Sequence, residues 1–227
     1  MSQEDKKRRA AEHALEFLAD GQVVGLGTGS TAKFAIEGIA RRISEGMSIK
    51  GVSTSLATER IARALRIPLV GLNDVESIDV TFDGADEVDS DFNMIKGGGG
   101  ALTREKLVAL SSRKRVILVD DRKVVSNLGV THSLPIEVLP FAWTMSARHL
   151  SALGCKASLR KDGEAQFVTD NGNYILDCDF GPIDNPSALE SRIKLLPGVI
   201  ESGLFIGIAD TLVIGLEDRV EVRYRMR

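Results

Sequence analysis

Val24-Gly25-Leu26-Gly27-Thr28-Gly29-Ser30-Thr31 is the stretch that decides the fold. An apolar, strand-like run, Gln22–Leu26, leads into it. An amphipathic helical pattern over Thr31–Glu45, closed by Gly46, leads out. A strand that passes through alternate glycines into a helix is the first half of a βα unit. The glycines let the backbone turn tightly and approach a ligand. The first amides of the helix are unpaired and carry partial positive charge, so they favour an anion. Ser30 and Thr31 add hydroxyl donors, and either can cap the helix. A phosphate is the natural occupant. Two alternatives stand beside it. One is a plain glycine turn with a capping serine. The other is a dinucleotide fingerprint, which wants glycine or alanine where Ser30 stands and an acid after the next strand, where this chain has no convincing one.

Outward from this loop the same rhythm repeats. Ile49–Ser53 reads as a strand, and Leu56–Leu65 as a helix that stops before Pro68. Ile78–Phe82 is a strand, Leu102–Ser111 a helix and Arg115–Asp120 a strand. Such βαβα alternation predicts an α/β domain with a largely parallel sheet covered by helices on both faces. Ligands then bind beyond the carboxyl ends of the strands. The pattern changes near His132. A short apolar stretch lies between Pro135 and Pro140, followed by a helix over Ala142–Leu153 and a strand around Ala157–Leu159. Strands at Ala165–Thr169 and Tyr174–Asp179 flank Asp170-Asn171-Gly172-Asn173, a hairpin signal. A helix at Ser187–Leu196 and a strand at Val199–Phe205 complete a smaller α+β domain of split βαβ type. Two last strands, Thr211–Gly215 and Val220–Arg225, are expected to return to the main sheet. The expected domains are 1–131 with 207–227, and 132–206.

Bulk properties narrow the function. A net charge of −3 offers no basic field for nucleic acid. The cluster Lys6, Lys7, Arg8 and Arg9 reads mostly as the solvated face of an amphipathic helix. Cys155 and Cys178 match no zinc or redox spacing and read as small core residues in a reducing compartment. No apolar run resembles a signal peptide or is long enough to span a bilayer, so a cytoplasmic protein is expected.

Two more loops carry chemistry. In Val80-Thr81-Phe82-Asp83-Gly84-Ala85-Asp86-Glu87-Val88-Asp89 a hydrophobic strand runs straight into acids. Asp83 and Asp86 can converge on one polyol and hold or shuttle its hydroxyl protons. A solvated acidic loop and a divalent-metal site are the alternatives, although the spacing is not that of a calcium loop. Lys96-Gly97-Gly98-Gly99-Gly100 precedes Ala101-Leu102-Thr103-Arg104-Glu105-Lys106. Four glycines in a row are entropically costly and make sense where amides must face negative charge. Lys96 can neutralise an oxyanion. Glu105, early in the helix that follows, reads either as a surface carboxylate or as a rigidly held acid–base group.

Taken together, GLGTGSTA at 25–32, FDGADEVD at 82–89 and KGGGGALTREK at 96–106 resemble ribose-5-phosphate isomerase, type A. The likeness continues through VTDNGNYILD at 168–177 and LPGVIESGLF at 196–205. It implies a Rossmann-like domain with a smaller ferredoxin-like α+β partner, and a homodimer or homotetramer in the pentose phosphate pathway. It implies no metal or organic cofactor, and a small sugar phosphate as ligand. By this resemblance Thr28, Gly29, Ser30, Thr31 and Lys7 bind the phosphate. Asp83, Gly84, Ala85, Asp86, Lys96, Gly97, Gly98, Gly99 and Lys123 line the site, and Glu105 accepts the proton. Asp83 or Asp86 opens the sugar ring. A sugar-phosphate deaminase or hydrolase on a similar scaffold is an alternative. So is a sensor module, but residues before Gly21 supply one helix only, too little for a helix-turn-helix.

Overall fold

The computed structural model describes residues 2–226. Its elements, in chain order, begin with α1 (Gln3–Ala14), β1 (Val23–Leu26), α2 (Ser30–Ser44), β2 (Lys50–Ser53), α3 (Leu56–Ala64) and β3 (Ile78–Gly84). Then come β4 (Glu87–Val88), β5 (Met94–Ile95), α4 (Leu102–Leu110), β6 (Ser112–Asp120), β7 (Leu134–Val138), α5 (Trp143–Ser151) and β8 (Lys156–Leu159). The remainder is β9 (Lys161–Asp162), β10 (Ala165–Gln166), β11 (Tyr174–Asp179), α6 (Pro186–Lys194), β12 (Val199–Ser202), β13 (Leu204–Phe205), β14 (Thr211–Gly215) and β15 (Val220–Tyr224).

The chain divides into two units. The first holds 1–85, 104–124 and 208–227; the second holds 86–103 and 125–207. In the first, a six-stranded sheet has the order β15-β14-β6-β3-β1-β2, parallel except for β15. This is the mostly parallel, helix-flanked sheet that the alternation predicts, and the two tail strands do join it. Alternate residues decide its faces. Val24, Leu26, Val80, Phe82, Val116, Leu118 and Val213 pack under Ala10, Ala11 and Ala14 of α1 and Ala35, Ile36 and Ile39 of α2. A separate cluster joins Val108 of α4 to Val52 and Ile78. The chain runs from β1 to β2 on one side, then crosses back to β3 on the other and continues outward to β6, which makes β1/β3 the point where the strand order reverses. The crevice beyond the ends of β1 and β3 is where such sheets bind ligands.

The second unit contains an antiparallel sheet of order β12-β7-β11-β8, with α5 after β7 and α6 after β11. That is the ferredoxin-like arrangement. Its core joins Ile136, Val138, Leu176 and Cys178 to Leu150 and Ile193. A three-stranded sheet, β13-β5-β4, belongs to the same unit. The unit boundary lies elsewhere than the expected one: 86–103 and 125–131 group with the small sheet, because β5 pairs with both β4 and β13, Val125 N–H donates to Val88 O and Leu128 bridges Ile183.

Two local expectations change. Val199–Phe205 is two strands, separated at Gly203. The hairpin across residues 170–173 is also absent as a ladder. Instead β10 pairs with β9, and β11 pairs with β7 and β8. Thr169 to Asn173 still form a tight turn, with Gly172 N–H donating to Thr169 O at 2.9 Å and Thr169 N–H to Asn173 O at 2.9 Å. Among the described residues, no helix is long and apolar enough to cross a membrane.

Candidate active site

In the first unit the glycine loop is built around Asp83. Gly27 N–H donates to Phe82 O at 2.9 Å, which binds the loop after β1 to the end of β3. Asp83 is 2% exposed, and its Oδ1 accepts from Thr28 N–H at 3.2 Å and Gly84 N–H at 2.8 Å. A Cβ on residue 27 would lie 2.3 Å from that oxygen, so only glycine fits there. Gly29 is the N-cap of α2 and supplies no side-chain bond to the first turn. The amides of that turn are thus left for an anion. Lys7 Nζ donates to Ser30 Oγ at 2.9 Å, whereas Lys6 Nζ turns to Asp121 Oδ2 at 2.7 Å. A cavity of about 310 Å³ lies against Glu4, Lys7, Ser30, Lys33 and Phe34.

Sequence reading missed the support beneath Thr28. Its hydroxyl lies 2.8 Å from Thr54 Oγ1, 2.8 Å from Ser55 Oγ and 3.0 Å from Thr58 Oγ1. Thr58 donates in turn to Gly27 O, and Thr54 to Leu26 O. Ser55 caps α3 by accepting from Thr58 N–H. The signal was the polar run Ser53-Thr54-Ser55 at the end of β2, which as sequence reads only as a helix cap.

The same unit holds Gly84, Ala85, Glu105 and Lys123. Thr31 is buried, and its Cβ lies 4.0 Å from where a Gly84 side chain would begin. Glu105 stands in the first turn of α4 and is 4% exposed. Burial separates it from an ordinary surface helix carboxylate. Lys123 ends a short 3-10 turn after β6, where the fully buried Asp120 accepts from Arg122 N–H at 3.1 Å.

In the second unit Asp86 and the glycine run form one piece. Asp86 N–H donates to Ile95 O at 2.9 Å, and its Oδ2 accepts from Gly98 N–H at 2.7 Å. Lys96 is buried, with its own N–H on Gly203 O at 2.9 Å and Nζ 5.5 Å from the Phe205 ring centroid. Gly98 and Gly99 are exposed. The run is not a nest with every amide open. Gly98 holds Asp86, and Gly100 N–H closes a turn onto Gly97 O at 2.9 Å. Among the described residues, no group of three or more His, Cys, Asp or Glu side chains is placed to hold a metal ion.

Residues 50–219 match the family profile of ribose 5-phosphate isomerase A (phosphoriboisomerase A). A ribose-5-phosphate isomerase A of Desulfatibacillum aliphaticivorans is 49% identical over 223 residues, spanning 96% of this chain and 96% of its own length. The protein of the same name from Bacillus mycoides is 45% identical over 216 residues, spanning 95% and 97%. A solved D-ribose-5-phosphate isomerase in complex with phospho-erythronic acid is 41% identical and superposes with a TM-score of 0.96, over 99% of this chain and all of the other.

Proposed function

This chain belongs to the ribose-5-phosphate isomerase A family, which interconverts D-ribose 5-phosphate and D-ribulose 5-phosphate, and we propose that Glu105 is the base of that reaction. The observation that carries the proposal is a carboxylate only 4% exposed, fixed in the first turn of a helix that the Lys96-glycine run leads into.

The substrate phosphate sits on the first amides of α2, with Thr28, Gly29, Ser30, Thr31 and Lys7 around it. It anchors the sugar and supplies orientation. Asp83 or Asp86 moves the anomeric hydroxyl proton to open the ring, above the small Gly84 and Ala85. Glu105 then takes the proton from carbon 2. The electron pair forms the carbon 1–carbon 2 double bond, and negative charge moves to the carbonyl oxygen on carbon 1. Lys96, Lys123 and the amides of Gly97 and Gly99 stabilise that enediolate, the electrostatic contribution that is usually largest. Glu105 returns its proton to carbon 1 while a proton passes from oxygen 2 to oxygen 1, leaving the ketone at carbon 2. The step is redox-neutral within the sugar, and the proton held on Glu105 can exchange with solvent before it is returned. Phospho-erythronic acid, found on a relative, joins a phosphate to a carboxylate. It supports a site with two anion-binding ends.

Glu105→Gln should lower kcat by at least about 10²-fold, the scale of a positioned acid–base group, with a much smaller change in KM. A variant with near-normal kcat removes Glu105 from the role. Wild-type turnover should survive excess chelator, and its loss would bring a metal site to the front. We further place the enzyme in the cytoplasm as a homodimer or homotetramer. Leu107 and Leu110, 52% and 65% exposed on α4, support self-association. A monomer in sedimentation velocity would contradict it.

A further inference from the structure

The turn at residues 169–173 and the strands beside it take no part in the chemistry above, yet they are tied to the glycine run and to the start of α4. Arg160 lies just after β8. Its Nε donates to Asp177 Oδ2 at 2.9 Å and its Nη2 to Asp177 Oδ1 at 2.5 Å. This two-point pairing fixes the plane of the guanidinium. The remaining nitrogen, Nη1, donates to Gly97 O at 2.8 Å and Gly98 O at 3.1 Å.

A trans peptide is planar, and its N–H points opposite to its C=O. Drawing the Gly97 and Gly98 carbonyls to Arg160 therefore turns the Gly98 and Gly99 N–H groups the other way. Gly98 N–H does point away, and meets Asp86 Oδ2 at 2.7 Å. Phe167 backs the run from the same segment. A Cβ on residue 100 would lie 2.3 Å from its ring, and Phe167 N–H donates to Arg160 O at 3.0 Å.

Glu137 anchors this segment. It lies on β7, a central strand of the small sheet, and is fully buried. Its carboxyl group accepts from Thr169 Oγ1 at 2.9 Å, Asn173 Nδ2 at 2.8 Å and Asn171 Nδ2 at 3.1 Å, and from Thr103 Oγ1. All four donors are neutral. A buried carboxyl is costly and is retained where its hydrogen bonds fix a conformation. Here they fix the turn and Thr103, which lies in α4 two residues before Glu105.

We infer that Arg160 and Glu137 are positioning residues of the isomerase. Arg160, braced by Asp177, aims the Gly98 and Gly99 amides toward the Asp86 side. Glu137 fixes both the segment that carries Arg160 and the opening of the helix that carries Glu105. Neither touches the reacting atoms. The inference rests on the reading of the glycine run as part of the active site.

Arg160→Met removes the donors and keeps the length. It should lower kcat about 10²-fold, the cost of a small misplacement at a reacting centre, with KM for ribose 5-phosphate changed by less than about threefold. It should weaken phospho-erythronic acid by about tenfold and leave inorganic phosphate binding unchanged, since inorganic phosphate needs only the loop after β1. A general loss of structure would weaken both ligands alike, and that result overturns the inference. So does a wild-type kcat. If Arg160→Met does not fold, Arg160→Lys decides. It keeps a charge beside Asp177 but cannot pair with Asp177 in two-point fashion and grip two carbonyls as well. Its kcat should fall by at least about tenfold, and a wild-type value overturns the inference. Glu137→Gln should give the same split between kcat and phosphate binding. Glu105→Gln is run in parallel. If it alone keeps normal turnover, the assignment of the base fails while the Arg160 result still stands.

Discussion

At the scale of single residues, the arrangement separates groups that sequence cannot. Lys6 and Lys7 are neighbours in a basic run, but a helix turns them about 100° apart. The structure sends Lys6 to Asp121 and Lys7 to Ser30. Lys7→Ala should therefore raise KM for ribose 5-phosphate about tenfold or more, the worth of a charge-assisted hydrogen bond, while Lys6→Ala changes it less. Steady-state kinetics on both variants checks this, and equal effects would count against the separate roles. Asp83, Asp86 and Lys96 were candidates because acids, a lysine and glycines after strands suggest a ligand loop, whereas Glu105 read equally as a surface helix carboxylate and was singled out by the family resemblance. Their burial was not legible, and neither was the hydroxyl cluster under Thr28. Both depend on which distant segments the fold lays against them.

At the scale of elements, strands and helices long enough to show a period were readable, and very short ones were not. Strands β4, β5 and β13 have two residues each, too few for alternation to register. They nevertheless move the unit boundary. The turn at 170–173 misled for another reason. Its asparagines face Glu137 instead of closing a two-stranded ladder. Gly203 marks the break between β12 and β13. A Cβ there would lie 2.3 Å from Lys96 O, while Gly203 O accepts from Lys96 N–H. Gly203→Ala should cost about 1–3 kcal/mol, as overpacking does, and lower kcat by displacing Lys96. Urea unfolding together with kinetics tests both halves. Wild-type stability and turnover would show that the contact has slack.

At the scale of the whole molecule, each unit has its own apolar core, and the thiols report on the second. Cys178 is fully buried, and the neighbouring Cys155 together with burial pushes its thiol above the ordinary value. Raising the pH from 7 to 9 should speed alkylation of the unfolded chain, whose thiols ionise there, and leave Cys178 of the folded chain unreacted. Mass spectrometry after iodoacetamide treatment reads the difference. Rapid labelling of the native protein would mean that this core opens. The βαβα rhythm was visible in the sequence because the helices bury one face and keep a helical period, while strands buried throughout, such as β14, show as short apolar runs. The activity of the whole depends on one proton moving between two carbons. The most direct measurement is hydrogen exchange at carbon 2 of ribose 5-phosphate in heavy water, followed by NMR for the wild type and for Glu105→Gln. The wild type should introduce solvent deuterium at carbon 1 of the ketose, and Glu105→Gln should slow that exchange by at least about 10²-fold while still binding phospho-erythronic acid. Exchange at the wild-type rate in Glu105→Gln would contradict the account.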